Sequence, residues 1–131
     1  MKKKVLVDLS ATIIHHGHIR LLKKASRYGN VIVALTTDVE IKRHKNYFPE
    51  LKFKFRKEIL ESLKYVSKVI PSKWRINEKF LKKNNIDIFI RGSDYKKEKF
   101  KTKTIIFPRT KNISSSKIRK ESSKILKKIQ S

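Results

Sequence analysis

The sequence predicts an α/β domain built on a five-stranded parallel sheet with helices on both faces. Three observations carry this. Short apolar runs alternate with longer stretches of helical periodicity along the chain, the pattern of right-handed βαβ crossovers. The apolar runs are continuous rather than alternating with polar residues, as strands covered on both sides require. Finally, 131 residues with no repeat, linker or low-complexity block is the length of one compact domain, expected to span 1–131.

The elements follow in order. Val5-Leu6-Val7 reads as a buried strand. From Gly17 to Tyr28 the apolar residues Ile19, Leu22, Ala25 and Tyr28 share one helical face, with Gly29 as the C′ residue. Val31 to Leu35 is a second strand. After Thr36-Thr37-Asp38, a polar, basic stretch to about Phe55 shows poor periodicity and reads as a mobile loop with one helical turn. Arg56 to Val66 is a helix with Ile59, Leu60, Leu63 and Val66 inward, and Lys68 to Pro71 is a short strand stopped by proline. A helix over Asn77–Asn84 leads to a fourth strand, Ile86 to Ile90, and Ile105-Ile106-Phe107 is the fifth. A last helix runs from Ser114 or Ser115 to Ile129. Parallel sheets bind ligands beyond the carboxyl ends of their strands. The residues to inspect are therefore Asp8–His18, Thr36–Lys45, Arg91–Tyr95 and Arg109–Lys117.

Composition narrows the chemistry. There is no cysteine, which excludes disulfides, thiolate metal sites and a cysteine nucleophile. No apolar stretch approaches the length of a membrane span, and the start is too short in apolar residues for a signal peptide, so a cytoplasmic protein is expected. The formal charge is +24, which points to phosphate-rich partners. With 27 Lys against 8 Arg and 17 Ile, part of that surplus reads as the drift of an AT-rich genome. Arg dominates base-specific and bidentate phosphate contacts, so the lysine bias argues against a dedicated nucleic-acid reader. A non-catalytic basic module that binds nucleic acid is the alternative class.

Three of the four histidines lie in His15-His16-Gly17-His18, where the first strand meets the first helix. His15 and His18 are three apart and can point the same way. Gly17 lets a ligand approach the backbone, and the helix start supplies free N–H groups and a positive dipole. Two imidazoles there can donate to phosphate oxygens whose charge rises during transfer. The alternatives are a metal site, with only Asp8 as a nearby carboxylate, or incidental surface histidines. After the last strand, Arg109-Thr110-Lys111-Asn112-Ile113-Ser114-Ser115-Ser116-Lys117 offers a second phosphate cradle, its serines placed to cap the final helix.

Taken with Ile19-Arg20-Leu21-Leu22, the His15-x-Gly17-His18 segment resembles the HxGH signature of the cytidylyltransferase family of nucleotidyltransferases. Arg109-Thr110-x-x-Ile113-Ser114-Ser115-Ser116-Lys117-Ile118 is similar to that family's RTxGISTTxI. Arg56, Tyr65-Val66-x-x-Val69-Ile70-Pro71, Trp74, Asn85-Ile86-Asp87 and Gly92-x-Asp94-Tyr95 match in order between them. The resemblance covers almost the whole chain and runs to the small bacterial glycerol-3-phosphate cytidylyltransferases, whose length is nearly the same. It implies a Rossmann-like fold and transfer of a nucleoside monophosphate, CMP from CTP, to a phosphorylated alcohol such as glycerol 3-phosphate, with release of pyrophosphate. ATP, or a sugar phosphate as acceptor, is the alternative within the family. The resemblance places His15 and His18 at the α-phosphate, and Lys42 and Lys45 on the triphosphate from a closing loop. Arg109, Ser114 and Ser115 would hold the phosphates, and Ser10, Gly17, Thr110 and Ile113 would join them in binding the nucleotide. Gly92, Asp94 and Tyr95 would border base and ribose, and Arg56, Lys64 and Trp74 would face the acceptor. Magnesium with the nucleotide and a homodimer are also implied.

The chain departs from the family's pattern in three places. GTFD is here Leu9-Ser10-Ala11-Thr12, so a glycine and a carboxylate are lost. RYVDEV is Lys64-Tyr65-Val66-Ser67-Lys68-Val69, which replaces an arginine fork by a point charge. The glycine of the second signature is Asn112, which implies a left-handed backbone there. These changes surround the expected acceptor and metal positions.

Overall fold

A computed structural model describes residues 2–93 and 98–130. Five strands form one all-parallel sheet: β1 (Lys4–Leu9), β2 (Asn30–Thr36), β3 (Lys68–Ser72), β4 (Ile88–Gly92) and β5 (Lys103–Phe107). Their order is β3-β2-β1-β4-β5, so the chain builds outward from β1 in one direction and then returns to build in the other. Val5 stands between Val31 and Ile88 in register. The helices are α1 (His16–Ser26), α2 (Asp38–Lys45), α3 (Phe53–Glu61), α4 (Glu78–Lys83) and α5 (Ser115–Gln130).

Alternate residues of the buried strands feed two separate cores, which is why no strand shows a polar face. Val5, Val7, Val31, Val33 and Val69 pack with Leu22 and Ala25 of α1 and Leu60 of α3. On the other side Leu6, Ile32 and Ala34 pack with Ile76, Leu81 of α4 and Phe89. Each central strand thus loses apolar area from both faces, at roughly 25 cal/mol per Å² removed from water.

Several elements differ from the sequence reading. Residues 38–45 are the helix α2, not a mobile loop. Its apolar signal is weak because Ile41 is buried while Val39 faces water. Charge order stabilises it instead, with Asp38 and Glu40 in the first turn and Lys42 to Lys45 in the last. Asn46, left-handed at φ 65°, closes it. The next helix begins three residues earlier than expected and ends at Glu61; Ile59, expected inward, is exposed, as are Ile19 and Tyr28. β4 begins at Ile88 rather than Ile86. Gly29 lies beyond the C-cap, Arg27, and its role is different from a helix cap. A Cβ there would sit 2.2 Å from the Lys3 carbonyl oxygen, so glycine lets α1 return beside β1.

Candidate active site

The order in which the chain adds strands reverses between β1 and β4, and a cleft opens at the carboxyl ends of these strands. Asp8 and Leu9 from β1, Gly92 from β4 and Phe107 from β5 line it, together with the start of α1 and the segment before α5.

Two histidines start α1 there. His15 is the N-cap, in extended conformation, and its Nδ1 accepts the Gly17 N–H at 3.1 Å. His18, three residues on, accepts the His15 N–H on its own Nδ1 at 3.1 Å. This is a capping box built from imidazoles, with ring centroids 3.9 Å apart. Because both Nδ1 atoms accept, each neutral ring carries its proton on Nε2. Burial, reinforced by His15 and Arg109, pushes His18 down to about 3. Burial also lowers His15, helped by His16 and Arg109. At neutral pH the cleft therefore holds two uncharged Nε2–H donors. Gly17 makes this possible in a way the sequence reading did not foresee. A Cβ at that position would lie 2.8 Å from His15 Cε1 and 3.3 Å from Ile113 Cγ2.

The second signature meets the first through one hydroxyl. Ser115 Oγ donates to the Ile13 carbonyl at 2.8 Å and accepts the Ile13 N–H at 3.2 Å. Ser114 Oγ accepts the Lys117 N–H at 3.0 Å and caps α5. Both serines, expected on phosphates, thus hold the two helix starts in place beside one cleft. Asn112 is left-handed at φ 64°, as its position implies. Arg109, Thr110 and Ile113 line the cleft, as do Ser10, Gly17 and Gly92.

Other expected residues are placed differently. Arg56 is 0% exposed and cannot face an acceptor. Its guanidinium donates to the carbonyls of Leu51, Ser10 and Thr36 and to Asp38 Oδ1 at 2.6 Å. It fixes the backbone that follows β1 and β2. Lys64 precedes β3, whose start pairs with Ile32, so it sits at the amino edge of the sheet, away from the cleft in its own chain. Lys42 and Lys45 are exposed on α2 and outside the cleft lining; Lys45 Nζ lies 5.7 Å from the Trp74 ring centroid. Trp74 lines a smaller adjoining pocket with Ser72, Lys73 and Ser10. Glu40 accepts its backbone N–H at 2.9 Å, and His44 stacks on its ring at 5.0 Å. Asp94 and Tyr95 lie outside the described residues.

Sequence reasoning missed a buried ion pair beneath the cleft. Arg91 is 2% exposed and bonds both oxygens of Asp8, at 2.9 and 3.3 Å, and Glu98 at 2.6 Å. Burial raises the Asp8 carboxyl above its usual range against the pull of Arg91. Arg20 and Lys24 also line the cleft; their spacing of three and seven from Gly17 was the available signal. Thr12, which stands where the family has a carboxylate, accepts a bond from Arg119 Nη2 at 3.2 Å. Glu50 holds the same guanidinium through two bonds of 2.6 and 2.7 Å. Among the described residues no group of three His, Asp or Glu could hold a metal. With Nδ1 accepting a backbone N–H and Nε2 carrying the proton, neither imidazole offers a lone pair to a metal in this arrangement.

Two Nε2–H donors at a helix start, with Arg109 on the wall, suit phosphate oxygens, and the crevice lies where a parallel sheet of this kind binds nucleotides. That defines the class, a Rossmann-like nucleotidyltransferase. The chain belongs to the cytidylyltransferase-like family, whose model matches residues 10–121. It is 39% identical to the glycerol-3-phosphate cytidylyltransferase of Staphylococcus aureus over 127 residues, covering 91% of this chain and 94% of that one. The Bacillus subtilis enzyme of the same name is 35% identical over 125 residues, with 91% and 96% covered. A lipopolysaccharide core biosynthesis protein from Thermoplasma volcanium shares the fold, with a TM-score of 0.70 at 21% identity over 84% of this chain and 99% of that one.

Proposed function

We propose that the protein transfers a cytidylyl group from CTP to a phosphorylated alcohol, glycerol 3-phosphate in the first instance, and releases pyrophosphate. The observation that carries this reading is the pair of imidazoles held at the helix start where the order of strand addition reverses. Identity of 35–39% to glycerol-3-phosphate cytidylyltransferases supports the choice of nucleotide and acceptor.

In this reaction an acceptor phosphate oxygen attacks the α-phosphorus in line. The bond from that phosphorus to the bridging oxygen breaks, and pyrophosphate carries the electron pair away. No enzyme nucleophile is needed, so positioning and charge stabilisation supply the rate. His15 and His18 would donate their Nε2–H groups to the α-phosphate and the bridging oxygen. Arg109 at the cleft wall would take the leaving pyrophosphate, and Lys42 and Lys45 of α2 would approach the triphosphate. Gly92, with Asp94 and Tyr95 beyond β4, would border the nucleoside. Trp74 and Lys73 would meet the acceptor in the adjoining pocket. Among the described residues Asp8 is the carboxylate that lines the cleft, and it is already paired with Arg91. Magnesium would arrive as part of the nucleotide substrate. A cytoplasmic homodimer completes the proposal.

The test is pyrophosphate release with CTP and with ATP against glycerol 3-phosphate, other polyol phosphates and sugar phosphates. Turnover with CTP and glycerol 3-phosphate is expected, falling about 10²–10³-fold in His15→Ala and in His18→Ala. Silence across the panel, or near-wild-type turnover in both variants, would refute the reading.

A further inference from the structure

The reaction makes no use of most of the C-terminal helix. Arg119 is tied to Glu50 and Thr12, but from Lys120 to Gln130 every residue of α5 is exposed. Ile125, Leu126 and Ile129 are 57%, 57% and 74% exposed and lie within one turn of each other on one side. At about 3.6 residues per turn, Lys120, Lys124 and Lys127 fall on the other side. A helical stretch this short, with nothing packed on it, is marginal in water by itself. Its apolar stripe calls for a covering surface.

Charge decides which one. The helix carries six Lys and Arg against one Glu, in a chain of net charge +24. A second copy laid along it would bring like charge against like. A nucleic acid would engage the lysines and leave the isoleucines in water. An anionic lipid surface satisfies both halves, since apolar side chains enter the interface while lysine stems bend their ammonium groups to the headgroups. No described helix is long and apolar enough to cross a membrane, so α5 would lie in the plane of the surface. We propose that α5 docks the protein on an anionic lipid surface, which gives its Lys120, Lys124 and Lys127 a partner that catalysis does not.

The experiment is co-sedimentation of the full chain with vesicles of phosphatidylglycerol and phosphatidylcholine, set against phosphatidylcholine alone. Stronger partitioning on the anionic vesicles is expected, by about a hundredfold if three lysines engage. The triple variant Ile125→Ser, Leu126→Ser, Ile129→Ser should lose at least about tenfold while turnover in solution stays unchanged. The variant Lys120→Gln, Lys124→Gln, Lys127→Gln should lose the anionic preference. Equal partitioning on both vesicles, or wild-type binding by the serine variant, overturns the proposal. So does a stripe whose loss abolishes self-association and leaves vesicle binding intact, or lysines that hold RNA in preference to vesicles. Vesicle binding is read without turnover, so this proposal and the proposed reaction can fail separately.

Discussion

Gly17→Ala separates what the helix start does for stability from what it does for catalysis. The new Cβ would stand 2.8 Å from His15 Cε1 and 2.9 Å from its Nδ1, too close to coexist with the present ring position. The contact is with a side chain, so the imidazole can swing away, and that is the damage. Swinging it out breaks the bond from the Gly17 N–H, a cap worth about 1 kcal/mol. Alanine returns a similar amount, because glycine costs a helix interior about 0.5–1 kcal/mol. The two terms nearly cancel, so the melting temperature should move by only a few degrees. Turnover should not be spared, since one aligned donor to the reacting phosphate is lost, a loss of about 10²–10³-fold in kcat. Thermal melting and pyrophosphate release on the same preparation read both. An alanine variant with wild-type kcat would show that His15 need not keep this position. A loss of several kcal/mol would show that the ring cannot move.

Gly29→Ala should behave in the opposite way: its Cβ meets a backbone carbonyl at 2.2 Å, so stability should fall by about 3 kcal/mol, or roughly 10 °C, with kcat of the folded protein unchanged. Arg56→Leu should cost about 3–5 kcal/mol by stranding Asp38 and three carbonyls, measured by urea unfolding. A specific rise in acceptor KM without loss of stability would restore Arg56 to the acceptor site. His18 makes folding sensitive to acid. Its folded value near 3 lies below the ordinary 6.5, so the unfolded chain binds the extra proton between those limits and stability falls as pH drops through them. From pH 7.5 to 5 the cost is about 2 kcal/mol, and urea midpoints for His18→Ala should lose that part of the slope.

How much of this was legible beforehand depends on which force places each residue. β1, β2 and the cores around them were readable because burial on both faces writes continuous apolar runs, and Val5, Val33 and Phe89 obey that rule. The two signatures were readable because helix starts that hold anions draw on few residue types. What stayed hidden was placed by partners distant in the chain. Arg56 is expected at the acceptor and Arg91 at a ligand-facing strand end, yet their guanidinium groups bond residues 46 and 83 positions away. Only the fold brings those partners near. The serines mislead for a related reason. Ser115 is where a phosphate contact was expected, and its hydroxyl instead serves Ile13, so one residue type answers to two uses that spacing cannot separate. The same logic explains Thr12. Its hydroxyl accepts from Arg119 of α5, 107 positions away, which Glu50 also holds, so spacing does not show these partners. Within the site, the two imidazoles at the helix start were therefore the easy part to read, and the residues that hold the backbone around them were not.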